Sequence, residues 1–198
     1  MTFTEQTIDE FLSGVASSQV APSAGATAAL TGALAASLCE MVCIHTSEAK
    51  RSERLADTEA ELREQRGQLL ALADEDAAAI NEVQAVFETD TDEDQEQVAL
   101  RTATEIPVRI AERARDVVTC ATVVAADGNP NARADALVGA TIARAVVASA
   151  AAIVRANVGL LEDDAFVTDV QHRVESAEAD ANAAVLRSVD ATRGRQLR

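Results

Sequence analysis

The sequence predicts an all-α protein, a helical bundle of orthogonal or up-down type built around one alanine-rich central helix. Aromatic residues make up only 2 % of the 198 residues, and Trp and Tyr are absent, which argues against β-sandwiches and barrels. No segment alternates apolar and polar residues for long enough to predict a strand, although the β-branched run 117–124 comes nearest. The segment 28–44 is apolar on nearly every face, with Glu40 as its one charge, so a helix there needs neighbours all around it.

The first third of the chain holds this central helix and a shorter helix before it. Apolar residues share one face over 7–15, and a capping box marks the start of that helix. The central helix follows a Pro-Ser-Ala-Gly turn at 22–25, and either Ser23 or Thr27 is placed to cap it. We expect the central helix to continue outward through the polar segment 46–66 as a solvated, bent extension.

The rest of the chain is predicted to form long helices separated by polar turns. The clearest breaks are the acidic segment 89–96 and the Asp-Gly-Asn-Pro turn at 127–130. Between them, Pro107 should kink the helix or start a new one near Glu105. The segment 132–157 is nearly all apolar and should pack against the central helix. Further helices are expected over 69–87, 98–126 and 165–193. A chain of this length supports one substantial core, so we expect residues 1–198 to form a single domain.

The charge of the chain excludes some partners and suggests an environment. A net charge of −16 disfavours nucleic acid and anionic membranes, because their phosphates would be repelled. Lys50 is the only lysine among 17 basic residues, which is typical of halophilic proteins in a salt-rich cytoplasm; an ordinary acidic protein is the alternative. The N-terminus lacks the pattern of a signal peptide. The apolar run 28–44 is short, alanine-rich and interrupted by Glu40, so we do not expect it to span a membrane.

The three cysteines predict buried, reduced thiols. Cys39 and Cys43 lie one helical turn apart, where a disulfide would require the helix to unwind, and Cys120 makes the count odd. These residues fit a reducing cytoplasm. His45 follows Cys43 by two residues and points to another side of the helix. We therefore predict no metal site, and we expect the thiols to act as small buried side chains.

Three polar residues stand out in otherwise apolar helices. Asp76 lies beside an alanine run, Asp135 lies one turn into the second apolar helix, and Asn157 ends that helix. Carboxylates in a cleft are natural groups for acid–base chemistry and for stabilising a cation. The alternative is that Asp135 only complements the helix dipole, while Asp76 and its neighbour Asp74 face water.

A series of motifs resembles one family along nearly the whole chain. The cyclodeaminase domain of formiminotransferase-cyclodeaminase and the stand-alone methenyltetrahydrofolate cyclohydrolases have a Pro-Gly-Gly-Gly-Ser turn before an alanine-rich helix. Here Ser23 and Ala24 stand where the first two glycines would be. The other matching motifs, in chain order, are Met41-Val42 with Thr46, Asp76, Pro107, Gly128-Asn129, Ala134-Asp135 and Asn157-Val158.

The resemblance implies a dimeric all-helical enzyme that binds folate in a cleft near its helix-packing interface. A tetrahydrofolate derivative would be the substrate, and no prosthetic group is expected. The implied partners are therefore the folate and a second copy of the chain, with no nucleic acid and no membrane. We assign catalysis jointly to Asp135 and Asp76. The residues expected to bind the substrate are Gly25, Lys50, Arg51, Asn129 and Asn157.

The resemblance leaves the reaction open. One activity adds water to the 5,10-methenyl bridge to give 10-formyltetrahydrofolate, and the other expels ammonia from the 5-formimino form. No formiminotransferase domain accompanies the sequence, which favours the cyclohydrolase slightly. A folate-binding or structural helical dimer without catalysis is the alternative.

Overall fold

The computed structural model describes residues 2–47, 52–89 and 92–193, and within these ranges the fold is all-helical, as predicted. The described residues also include short 3₁₀ helices at Phe3–Glu5, before the first α-helix, and at Pro130–Ala132 and Val158–Leu160, between longer helices. The α-helices of the described ranges are α1 Ile8–Val15, α2 Ala24–Ile44, α3 Glu53–Glu88, α4 Glu93–Asp127, α5 Arg133–Asn157 and α6 Asp164–Arg193.

The five long helices form an up-down bundle in which α4, and not the predicted α2, is central, because α4 packs against all four others. Each long helix packs against the next one in the chain, and α2 also packs against α4 and α5. Helix α2 runs antiparallel to α5, because Gly32 near its middle lies against Val146 while Cys39 near its end lies against Gly139. Antiparallel order therefore places the start of α2 beside the end of α5.

The predicted extension of the central helix beyond residue 44 is wrong, because side chains close the end of α2. The Thr46 hydroxyl donates to the carbonyl of Val42, and the Asn129 side-chain amide donates to the carbonyl of His45. A new helix, α3, then begins at Glu53, where the Ser52 hydroxyl accepts the backbone N–H of Leu55. Capping at both ends thus separates two helices that sequence periodicity had joined.

Of the two alternatives predicted at Pro107, a new helix near Glu105 is wrong, because α4 runs through Pro107 without a break. A proline inside a helix removes one backbone N–H and leaves the carbonyl four residues earlier without a helical partner. Burial of Pro107 and its neighbours within the bundle holds the helix together across this position. The turn at 127–130 and the helices on both sides of it are as predicted.

The core is made of small side chains at close helix spacing. Gly139 lies so close to α2 that an added Cβ would come within 2.6 Å of the Cys39 sulfur. The three cysteines are buried thiols, as predicted. Burial raises the pKa of the Cys39 thiol to about 12, so this thiol stays neutral and packs as an apolar group. Within the described ranges, no three His, Cys, Asp or Glu side chains are grouped to hold a metal ion.

Within the described residues, two segments are long and apolar enough to cross a membrane by length and composition alone, α2 and the run Pro130–Leu160. Both belong to the packed bundle, and about half of each is buried inside it. The large apolar side chains of Leu34, Ile44 and Val138 are exposed on these segments.

Candidate functional site

Asp76 belongs to α3, and its carboxylate lies against the first turn of α2. Its Oδ2 accepts the Ser23 hydroxyl at 2.7 Å and the backbone N–H of Ala26 at 2.8 Å. Asp76 therefore caps α2 from another helix, and the predicted cap by the Ser23 or Thr27 side chain is wrong. The Thr27 hydroxyl instead donates to the carbonyl of Ser23. Asp76 is only 3 % exposed, so the alternative that it faces water is also wrong.

Gly25 is required by the close approach of this carboxylate. A Cβ added to Gly25 would lie 2.0 Å from Oδ1 of Asp76, far inside van der Waals contact. The backbone at Gly25 has negative φ, so the requirement is for space and not for an unusual conformation. Gly25 was expected to bind the substrate, but the Asp76 side chain fills the space beside it.

Burial gives Asp76 the electrostatics of an acid–base group. Desolvation raises the pKa of its carboxyl, because the charged form loses its contact with water. The hydrogen bonds from the Ser23 hydroxyl and the Ala26 N–H oppose part of this rise by stabilising the carboxylate. Asp76 thus gains and loses a proton at a higher pH than an exposed aspartate, which suits a residue that moves protons.

An open, mostly apolar cleft of about 1020 Å³ adjoins Ser23, the hydrogen-bond partner of Asp76. It lies between the first half of α2 and the second half of α5, with Ile142 and Ile153 among its walls. Four hydroxyls line it. The Ser23 hydroxyl donates to Asp76, and the other three each donate to the carbonyl four residues earlier, which leaves oxygen lone pairs available to a ligand; they are Thr27, Thr31 and Ser149. A large apolar cleft with a few polar groups is the usual form of a small-molecule site.

The structure places Asp135 and Asn129 at the opposite end of the bundle from Asp76. Asp135 is partly buried in the first turn of α5, where the helix dipole favours a negative charge. At a rise of about 1.5 Å per residue, it lies about 30 Å along α5 from Ala156 in the cleft. Asp76 and Asp135 therefore do not share a cleft within one chain, contrary to our expectation that they act together there.

The amide side chains of Asn129 and Asn157 both have structural partners. Asn129 joins the 127–130 turn to the end of α2, through its Nδ2 to the His45 carbonyl and its backbone N–H to the Thr46 hydroxyl. Asn157 donates from Nδ2 to the Ala103 carbonyl of α4 at 3.2 Å. In both residues the side-chain N–H group is thus directed at a backbone carbonyl and not at the cleft. Lys50 and Arg51 lie outside the described residues.

Sequence analysis missed Ser23 as the partner of Asp76, and it missed the apolar walls of the cleft. One signal for the orientation of Asp76 was present in the sequence. Leu55, Leu62 and Leu69 recur every seven residues, and the next position in that series is Asp76. Leucines at this spacing share one face of a helix, which predicts a buried face with Asp76 on it. The structure agrees, because all three leucines are fully buried.

Comparison with solved structures identifies the class of fold. The chain superimposes on the crystal structure of formiminotetrahydrofolate cyclodeaminase from Thermotoga maritima with a TM-score of 0.91, at 26 % identity, covering 96 % of this chain and 98 % of that one. The up-down bundle with its small-residue core is thus the fold of that enzyme.

The family follows from the sequence itself. Residues 7–176 match the family model described as formiminotransferase-cyclodeaminase, and the chain belongs to this family. It is 34 % identical over 190 residues to methenyltetrahydrofolate cyclohydrolase from Methylorubrum extorquens, covering 90 % of this chain and 91 % of that protein. It is 30 % identical over 198 residues to formimidoyltransferase-cyclodeaminase from Sus scrofa, covering 94 % of this chain but only 37 % of that longer protein. The predicted resemblance is confirmed.

Proposed function

We propose that this chain is a methenyltetrahydrofolate cyclohydrolase. The observation that carries the proposal is the match to the Methylorubrum extorquens cyclohydrolase, which spans nearly the full length of both chains. The buried Asp76 beside an open apolar cleft supplies the kind of site that the reaction needs. A tetrahydrofolate derivative is the substrate, and the reaction needs no prosthetic group.

The chemistry fits a carboxylate of raised pKa beside an apolar cleft. The water oxygen bonds to the bridge carbon of the methenyl cation, and one of its protons is released. The bond from that carbon to N5 then breaks as the remaining hydroxyl proton passes to N5, which leaves a formyl group on N10. A carboxylate stabilises the cation before water adds, and Asp76 can take up the released proton because its pKa is raised.

The exposed surface of α2 and α5 supports a homodimer. Uncharged residues recur at spacings of three and four along the outer face of both helices, from Ala24 through Leu34 to Ile44 and from Ala134 to Ala156. Although the net charge of the chain is −16, this face carries no charged residue, so a second copy can dock there without like-charge repulsion. We propose that a second copy, and not lipid, covers this face.

The shape of the face favours an antiparallel pairing. Bulky exposed side chains such as Ile44 and Val138 lie at one end, whereas small residues and the cleft lie at the other. A two-fold axis perpendicular to the helices sets the bulky end of each copy over the open cleft of the other. The same axis carries Asp135 of one copy toward the Asp76 end of its partner. We therefore propose that each dimer has two composite sites, each with Asp76 from one copy and Asp135 from the other.

The assay of this function follows the methenyl chromophore in concentrated salt. Wild-type protein should remove it, and Asp76→Asn and Asp135→Asn should each lower the rate by orders of magnitude with unchanged helical signal. Asp74→Asn is the matched control, because that neighbouring carboxylate binds the Phe3 N–H and not α2; its rate should stay near wild type. Folded wild-type protein without turnover would contradict the proposal, and folate binding in calorimetry would then favour the non-catalytic alternative.

Formimino cyclodeaminase activity is the second candidate. The observation that favours it is the fold of the Thermotoga maritima enzyme, which covers almost all of this chain. Ammonia release from 5-formiminotetrahydrofolate, measured on the same preparations, distinguishes the two reactions. A deaminase rate that exceeds the cyclohydrolase rate would reverse our order of preference.

A further inference from the structure

The proline inside α4 explains why Asn157 contacts this helix. In an α-helix the carbonyl of residue 103 accepts the N–H of residue 107. Residue 107 is Pro107, which has no N–H and whose ring crowds the carbonyl of residue 103. Ala103 is only 5 % exposed, so its carbonyl lies in a packed region where water is not a ready substitute.

The side chain of Asn157 supplies the missing donor. Its Nδ2 reaches the Ala103 carbonyl at 3.2 Å across the interface between α4 and α5. Asn157 is the last residue of α5, and the residues just before it, Ile153 and Ala156, line the cleft. A hydrogen bond at this point ties the cleft wall of α5 to the first third of α4.

We propose that Asn157 is a positioning residue, which fixes the end of α5 by supplying the hydrogen bond that Pro107 withholds from Ala103, and that it is not a ligand of the substrate. Loss of this hydrogen bond lets the cleft wall shift, so substrate binding weakens while the rate of the chemical step changes little. The kinetic part of this inference rests on the proposed function, whereas the effect on stability does not.

A double-mutant cycle tests the inference, because Pro107→Ala restores the N–H that Ala103 lacks. Asn157→Ala alone should lower the urea midpoint of unfolding and raise KM more than it lowers kcat. In the Pro107→Ala background the same substitution should shift the midpoint at least about threefold less. KM should there stay within about twofold of the Pro107→Ala parent.

Asn129→Ala is the matched control, since Asn129 makes its contacts at the other end of the bundle. Pro107→Ala should not reduce the loss caused by that substitution. Equal losses from Asn157→Ala in both backgrounds would overturn the inference and would favour direct contact with the substrate. If Asn157→Ala does not fold, a folded double variant supports the inference and an unfolded one overturns it. The urea midpoints decide the matter even if the wild-type protein lacks folate activity.

Discussion

The carboxylate of Asp76 caps a helix and is also the acid–base group that we propose for the site. It closes the start of α2 by accepting the Ala26 N–H, and it lies one hydrogen bond away from the cleft through Ser23. A cap from another helix is sensitive to the spacing of both helices, so the geometry of this end of the bundle and the charge of the proposed site are coupled. We therefore expect substitutions of Asp76 to affect stability and activity together.

The raised pKa of Asp76 predicts a specific pH dependence of stability. The folded chain holds the Asp76 proton more tightly than the unfolded chain, so ionisation removes stability as pH rises from about 3.9 to the raised value. Asp76→Asn keeps an acceptor for the Ala26 N–H and cannot ionise. Urea unfolding over this pH range should show the free energy of the wild type falling relative to that of the variant, and then a constant difference above it. A difference that stays constant throughout would contradict the raised pKa.

Gly25→Ala should damage the site, because its methyl group would overlap Asp76 Oδ1. We expect a loss of about 1–3 kcal/mol in the free energy of unfolding and a fall in activity as the carboxylate is displaced. Gly67→Ala is the control, since Gly67 lies on an exposed face of α3 with no heavy atom near its missing Cβ. That variant should gain about 0.5–1 kcal/mol. Denaturant titration measures both, and a stable, active Gly25→Ala would show that Asp76 has room to move.

At the level of the helices, Glu40 joins α2 to α3. Its carboxylate is almost fully buried and accepts Arg63 Nε at 3.0 Å and Arg66 Nε at 3.1 Å. The two arginines reach solvent, whereas the carboxylate does not. Loss of the arginines thus leaves an unpaired buried charge, while loss of the carboxylate leaves cations that water can solvate.

This asymmetry predicts unequal effects of removing either side of the cluster. Glu40→Ala should lower the free energy of unfolding by about 1–2 kcal/mol, and the Arg63→Ala/Arg66→Ala double variant should lower it more. Arg54→Ala, which removes an exposed ion pair with Asp127, should cost less than about 0.5 kcal/mol. Thermal or urea unfolding measures the series. If the Glu40 variant is the less stable of the first two, the burial argument is wrong.

Local sequence signals predicted most helices. The features that they did not predict depend on contacts between residues far apart in the chain. The turn at Pro130 and the capping box of α1 depend on neighbouring residues, and both were predicted. The end of α2 depends on Asn129, which is far away in the chain, so periodicity could not place it. For the same reason, sequence identified Asp76 and Asp135 as candidates but could not show that the antiparallel packing of α2 and α5 separates them.

At the scale of the whole molecule, net charge predicts a dependence on salt. The −16 charge destabilises the compact state through self-repulsion, and salt screens that repulsion. The urea midpoint should rise steadily between about 0.1 and 2 M KCl, as expected for a protein of a salt-rich cytoplasm. Sucrose of matched osmolality is the control and should have a smaller effect. A midpoint that does not respond to KCl would contradict the halophilic interpretation.

Mixed dimers test whether Asp76 of one copy and Asp135 of the other form one composite site. Asp76→Asn and Asp135→Asn subunits are each expected to be inactive, so they are combined by denaturing and refolding an equal mixture. Random pairing makes half of the dimers mixed, and each mixed dimer has one site with both native carboxylates. The mixture should therefore recover about a quarter of wild-type activity. A mixture that forms mixed dimers and remains as inactive as its parents would show that the two carboxylates do not meet across the interface.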